Sequence, residues 1–561
     1  MSGAGVRRAS LTVFVLAAAA LLLGFPLLSF LAVGFWPGLF GGAGHASFTL
    51  AVLAQALRGH AARALLDSCA LSVTSGVLAT AVGAWLAWLR ERTRLAGSRF
   101  IEGGVWVLLL VPSYALATSW MLALSPGGPL GNVHAVAAVA AVFFGPVGIA
   151  LVLAIKAVPL AYLAVGSSIS RVSASLDEAG RTHGLSPLRR AHLQAAVLAP
   201  ALAAGFTIAF AESLSDFGVA ATLGAGSRFP LATYAIYSAL DAEPLNFPLA
   251  SASSLLLLVV ASLAVWIQSR VTRASARFQT LKGGMRARAP HRLSRVARFL
   301  HGAGLTLFAL VALGVPAGGA IAVSFAGGGL GEPRRFTLRH YAELFRHHAL
   351  TGAFLYSAEL AVCVAAITLV LALGAAWILT RRSAAARALD AALVAVMALP
   401  AIVLAGGYLF AYNQAFLPLA GTTLLLSMAY VTLALPLSSR TLVGPVAQLH
   451  AGLGEAACVH GLSGIPLWRS VYLPLLAAPL LYAWLLTTAH VIFELPASQI
   501  LYPPGHPTLA VALTGYLNRF HYGAEAALQI VSMAVVAAAL LAIRALYLRL
   551  APPAWRPMWG A

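Results

Sequence analysis

Runs of about 20 mostly apolar residues, each closed by a polar or basic interruption, recur along the whole chain, and a run of that length crosses hydrocarbon as a helix. In the first half they fall at roughly 11 to 35, 67 to 89, 101 to 124, 133 to 155, 191 to 214 and 247 to 268. In the second half they fall at roughly 300 to 325, 353 to 379, 389 to 412, 422 to 443, 471 to 493 and 524 to 548. The pattern predicts an all-α polytopic membrane protein of about twelve spans in two tandem six-helix units, 1–269 and 300–561, joined by a basic linker, 270–299. Arg7 and Arg8 ahead of the apolar stretch Leu11 to Phe35 have the look of a secretory signal. The stretch is longer than a usual signal core and lacks a clear small-residue cleavage site, so it is read as the first span.

Composition agrees. A chain of 561 residues that is 60% hydrophobic and 9% charged cannot hide its apolar surface in a water-soluble core, and lipid is the expected solvent. The net charge of +20 would suggest nucleic acid in a soluble protein. Here the basic residues fall mainly in short loops beside apolar runs, the signature of cytoplasmic loops and of contact with anionic lipid, and nucleic acid is not an expected partner. With the amino terminus inside, parity puts the basic loops on one side, among them Arg90 to Arg94, Arg171 to Arg190, the linker, and Arg440 to Arg469. Both termini are then cytoplasmic. Cys69, Cys363 and Cys458 have no ligand-like spacing, so neither a disulfide framework nor a thiolate metal site is indicated.

One short cassette occurs twice, with glutamates at 178 and 455, 277 positions apart: Glu178-Ala179-Gly180 followed by Gly184, and Glu455-Ala456-Ala457 followed by Gly461. Both copies lie in loops on the predicted cytoplasmic side, and six spans per half make the duplication direct, with a pseudo-two-fold along the membrane normal. Ser175-Leu176-Asp177-Glu178 has the form of a capping box, and the glycines with Pro187 and Pro466 would end a helix of about two turns. So short a helix is not stable alone and needs the flanking spans to hold it at the membrane surface. Its small residues allow close approach of a partner, and one Glu offers a charge. A lone loop glutamate is ordinarily just a solvated acid near arginines. Repetition reverses that preference.

The pattern Glu-Ala-Ala, three residues, Gly, then a stretch ending Leu-Pro resembles the cytoplasmic coupling loop of binding-protein-dependent ABC importer permeases. The second copy fits through Leu473-Pro474, while the first carries Gly180 for the second alanine and Gln194-Ala195 where Leu-Pro would fall. Ser215-Asp216-Phe217-Gly218 and Glu494-Leu495-Pro496-Ala497 resemble the fused two-unit permeases of ferric-iron importers, with thiamine and phosphonate permeases as close relatives. The resemblance implies a type I importer permease in the bacterial inner membrane, without catalytic residues, cofactor or resident metal of its own. Glu178, Ala179, Gly180, Gly184, Glu455, Ala456, Ala457 and Gly461 would dock to a cytoplasmic ABC ATPase dimer that binds the ATP, and a periplasmic binding protein would deliver the solute. Lys156 and Lys282, the only lysines, lack a phosphate-binding loop, so the ATPase must be a separate chain.

Acids near membrane depth are Glu212, Asp216, Glu359 and Glu494, and a charge there is a functional candidate because hydrocarbon penalises it. Aligning Pro200 with Pro479 brings Asp216 within one residue of Glu494, so Glu212, Asp216 and Glu494 are candidates for the translocation pathway, with capping or snorkelling as the competing reading. His490 close by is read as a packing residue. The expected cargo is ferric iron, with thiamine or phosphonate as alternatives on the same scaffold. An ion-coupled secondary transporter would share the span count but would place its acids at the bilayer midplane and leave the repeated loop cassette unexplained.

Overall fold

Proline and glycine, more than hydrophobicity, decide where the helices of this chain stop. The computed structural model describes residues 13–41, 47–95, 97–125, 128–131, 133–169, 180, 182–275, 293–327, 335–346, 348–381, 383–415 and 417–552. The principal helices of the first half are α1 (Val13–Val33), α2 (Gly59–Arg92), α3 (Arg99–Leu110), α4 (Ser113–Leu124), α5 (His134–Phe143), α6 (Pro146–Ile169), α7 (Pro187–Ser215) and α8 (Phe247–Ser275). Those of the second are α9 (Arg295–Ser324), α10 (His348–Leu379), α11 (Ala384–Ala398), α12 (Ala401–Ala411), α13 (Thr423–Ala447), α14 (Ala451–Val459), α15 (Ile465–Ile492), α16 (Pro496–Leu501), α17 (Leu509–Asn518) and α18 (Tyr522–Leu550). Among the described residues ten helices are long and apolar enough to cross a membrane, and the count reaches twelve if each of two bent pairs is one span.

The bent pairs are α3 with α4, turned by 100°, and α11 with α12, turned by 109°. Both breaks sit at a proline. Its ring forces the preceding residue out of the helical region, and Val111 (φ −67°, ψ 124°) and Leu399 (φ −90°, ψ 136°) are accordingly extended. The runs expected as continuous spans at about 101 to 124 and 389 to 412 are therefore each two half-helices. The run expected at about 133 to 155 is also divided: α5 ends at Phe143, Pro146 opens α6, and the crossing helix is Pro146–Gly166. A proline is well accommodated in a helix's first turn because that N–H has no intrahelical partner, so an uninterrupted apolar window concealed a stop and a start.

Two compact units emerge, each drawing on both halves of the sequence. One comprises 50–239 and 252–338, the other 1–49, 240–251 and 339–561. In the first, α2 crosses α6 so closely that a Cβ on Gly83 would lie 2.7 Å from the Tyr162 nitrogen, and Gly319 of α9 packs against Ala123 of α4, where a Cβ would fall 2.6 Å from the alanine methyl. In the second, Gly407 of α12 abuts the Pro26 carbonyl of α1. There α1 contains a π-helical turn, Ala20–Gly24, that disturbs its regular hydrogen-bond ladder, and the hydroxyls of Tyr408 and Tyr412 donate to the Leu22 and Leu21 carbonyls at 2.9 and 2.7 Å. Thus α1 packs with the second-half helices of its unit and α9 with the first-half helices of the other. The division at 270–299 describes order along the chain, and residues 276–292 of that linker lie outside the described residues.

Gly83→Val is expected to destabilise the protein by about 2 kcal/mol, since nothing at the α2–α6 crossing can yield except backbone. Gly103→Ala on α3, where no atom lies within 4 Å of the new methyl, should instead be neutral or stabilising by up to about 1 kcal/mol. Thermal unfolding in detergent, followed by tryptophan fluorescence, distinguishes the two.

Candidate functional site

The repeated cassette is a helix end with one defined geometry. In the second copy α14 spans Ala451–Val459, and the His450 ring nitrogen Nδ1 accepts the Gly452 N–H at 3.1 Å as its N-terminal cap. Gly461 has φ +77°, and the Leu462 N–H donates to the Ala457 carbonyl at 2.9 Å. In the first copy Gly184 has φ +67°, and the Leu185 N–H donates to the Gly180 carbonyl at 2.8 Å. The same bond recurs between equivalent residues. It is the closure that satisfies a helix's last carbonyls when the chain reverses through a left-handed residue, which explains the glycine: no atom lies within 4 Å of a Cβ at either position, so backbone conformation and not crowding selects it. Glu455 and Ala456 are exposed, Val459 beyond them is 85% exposed, and Ala457 is buried beneath. Glu178, Ala179 and the Ser175 capping box lie outside the described residues. The His450 cap carries no familiar capping signature, and sequence reading passed over it.

A second pair of sites forms where α7 and α15 end. Asp216 follows the last residue of α7, and its Oδ1 accepts the Val219 N–H at 2.7 Å. Glu494 stands two residues beyond α15, and its carboxylate accepts the Ala497 N–H at 3.0 and 3.1 Å and the Ser498 N–H at 3.1 Å. Each acid caps the helical segment after the break, where free N–H groups and the helix dipole favour a negative charge. Just beyond the span ends, burial pushes the Asp216 carboxyl up to about 6 against the opposing hydrogen bonds from Ser113 and Val219, and the Glu494 carboxyl up to about 7 against those from Ala497 and Ser498. Glu494 is only 7% exposed, Asp216 half-buried.

In the unit holding Asp216, the two helix breaks are packed together. A Cβ on Gly218 would lie 2.3 Å from the Ser113 hydroxyl and 2.7 Å from the Tyr114 nitrogen at the start of α4. Lys156 of α6 donates from Nζ to the Val111, Leu109 and Leu108 carbonyls at 2.7, 3.1 and 3.3 Å. These are the carbonyls orphaned where proline ends α3, and the ammonium's three donors meet them together. In the other unit the residue 277 positions on from Lys156 is Leu433, and there the cap is supported by Tyr430, whose hydroxyl pairs with that of Ser498. Lys156 was visible in sequence as a cation within an apolar run, yet its purpose depends on a break whose direction only the structure shows.

Glu212, one turn before Asp216, is exposed, and its carboxylate accepts no hydrogen bond among the described residues; Glu359 is exposed on α10. Among the described residues no three His, Cys, Asp or Glu side chains converge as a metal cage. The arrangement offers polar-capped helix breaks, two in the unit of Asp216 and one in the unit of Glu494, and an exposed two-and-a-half-turn helix in the latter.

Lys156→Met should destabilise the protein by about 3 kcal/mol, because three carbonyls lose a charged donor, with Lys156→Arg recovering part of the loss. Gly461→Ala should cost about 1–2 kcal/mol through its left-handed backbone. Denaturant unfolding in detergent measures both.

Residues 79–273 match the family described as binding-protein-dependent transport system inner membrane component. The chain is 28% identical to a Haemophilus influenzae protein provisionally named ferric transport system permease protein FbpB 1, over 64% of this chain and 56% of the relative, so the match spans little more than half of that relative. It is 26% identical to the ferric transport system permease protein FbpB of Actinobacillus pleuropneumoniae, over 83% of this chain and 68% of that one. It is also 28% identical to a Salmonella typhimurium protein provisionally named 2-aminoethylphosphonate transport system permease protein PhnV, over 36% of this chain and 77% of the relative. Residues 79–273 thus carry the match to the inner membrane components of binding-protein-dependent transport systems, and the chain as a whole is similar to the permeases of such systems.

Proposed function

We propose that this chain is a two-unit membrane conduit of an ATP-driven importer, passing ferric iron from a periplasmic binding protein to the cytoplasm. The observation that supports the reading is the same closing turn at Gly184 and Gly461, in matching places of the two copies. One ATPase subunit of a dimer docks on each copy. Glu178 and Glu455 supply a charge to that contact, and the alanines permit its close approach. Closure of the ATPases on ATP then shifts two rigid bodies between inward- and outward-open states, a transmission that needs stiff helices and a fixed handle rather than chemistry on this chain. The loops carrying both handles, the linker and both termini lie in the cytoplasm on this reading.

Ferric iron is favoured as cargo because the relatives with ferric names cover 64% and 83% of this chain, against 36% for the phosphonate-named one. In such a system selection falls chiefly to the binding protein, and the permease need only provide a polar, hydrated route.

Changing Glu178 and Glu455 together to Arg should reduce copurification of the ATPase at least 10-fold while leaving the membrane protein's melting temperature within a few degrees. Retention of the ATPase by the double variant would refute the docking assignment. Reconstitution with the ATPase and candidate binding proteins should show ATP hydrolysis stimulated by the ferric-loaded one above the phosphonate-loaded one.

A further inference from the structure

The helix of the second cassette, α14, lies against a cluster of aromatic rings. Trp468 and Tyr472 bound the π-helical turn of α15, and Trp377 stands in the last turn of α10. The three rings pack on one another, tilted or edge-on, with centroids 5.1 Å apart for Trp468 and Tyr472 and 5.5 Å apart for each of the other two pairs. The tip of Tyr472 reaches α14, where a Cβ on Gly454 would lie 2.5 Å from the phenol oxygen and 3.7 Å from Cζ. A tyrosine tip can ordinarily swing aside for a methyl group, but this ring is packed against two tryptophans. Gly454, in the helix beside the exposed Glu455, therefore has a steric reason to be glycine. In the first half Ala191 and Ala195 stand 277 positions before Trp468 and Tyr472, and no Phe, Tyr or Trp occurs from Leu185 to Gly205.

We propose that Tyr472, fixed by Trp377 and Trp468, is the seat that positions the second docking helix, and the point at which ATPase movement passes from α14 to α10 and α15. This rests on the permease reading above and goes beyond it by naming the contact behind the docking surface. A helix of nine residues does not hold its place alone, and the closing turn at Gly461 fixes only its end. The seat fixes its middle, because Gly454 lets the α14 backbone settle onto the Tyr472 hydroxyl. Tyr472 is a positioning residue: it meets no cargo and leaves the Glu455 face exposed. With alanines at the matching places, the first copy has no such ring on the helix that follows it, so the two copies hand on movement through different contacts.

Gly454→Ala and Tyr472→Phe separate this contact from helix propensity. Alanine is the better helix former, so without a seat Gly454→Ala would only firm α14; with one, it pushes α14 off Tyr472. Tyr472→Phe removes the hydroxyl and leaves Cζ as the nearest atom at 3.7 Å, an ordinary contact, so the double variant should seat again. In proteoliposomes holding the full chain, its ATPase and the ferric-loaded binding protein, Gly454→Ala should lower the stimulation of ATP hydrolysis at least 5-fold while the ATPase still copurifies. The double variant should recover to within 2-fold of the unaltered chain. In detergent, amide hydrogen exchange over residues 451–459 should quicken at least 10-fold in Gly454→Ala and return to the unaltered rate in the double variant. Stimulation or exchange equal to that of the unaltered chain in Gly454→Ala, or no recovery in the double variant, would overturn the seat. If the unaltered chain retains no ATPase, the permease reading falls, and the exchange rates alone decide whether Tyr472 seats α14.

Discussion

Every backbone N–H and C=O that leaves a helix inside a membrane must find a partner in the protein, because hydrocarbon offers none. This chain breaks helices repeatedly, and the residues around each break follow from that constraint. Proline at 112 ends α3 and strands three carbonyls, which the Lys156 ammonium collects. The chain then leaves α7 at Asp216 and strands N–H groups, which the carboxylate collects. Donor excess and acceptor excess lie side by side, and Gly218 lets the two breaks approach to a distance no side chain would permit.

The other unit meets the same constraint differently. With Leu433 at the position equivalent to Lys156, it has no cation there, and its cap relies on two N–H bonds to Glu494 and on the hydroxyls of Ser498 and Tyr430. The repeat has kept the break and changed the chemistry that supports it. The two breaks are therefore alike in position and unequal in the charge that supports them.

Outside the spans the relevant constraint is conformational. A two-turn helix ending at a membrane surface needs its last carbonyls closed, and a glycine able to adopt positive φ closes them over the shortest path. The cassette's glycine is thus the structural half of the motif, while the exposed Glu455 and Ala456 are its presentable half. Behind it, the helices cross closely at Gly83, Gly319 and Gly407.

Hydrophobic run length by itself predicted a helical membrane protein of about twelve spans, and the repeated cassette predicted a duplication, because both signals are local and survive without knowledge of neighbours. The glycines of the cassette and the acids at the span ends were legible for the same reason: each is a helix terminus, and termini are written in a few adjacent residues. Three things were not legible. The divided run at Phe143 to Pro146 was hidden because a proline in a helix's first turn looks like a proline within a span. The partnership of Lys156 with the end of α3 joins residues more than 40 positions apart. The recruitment of α1 among the second-half helices depends on tyrosine hydroxyls finding carbonyls loosened by a π turn nearly 400 positions away. Such choices belong to tertiary structure, since a backbone group stranded in lipid is satisfied by whichever donor or acceptor the fold brings to it, wherever that residue stands in the chain.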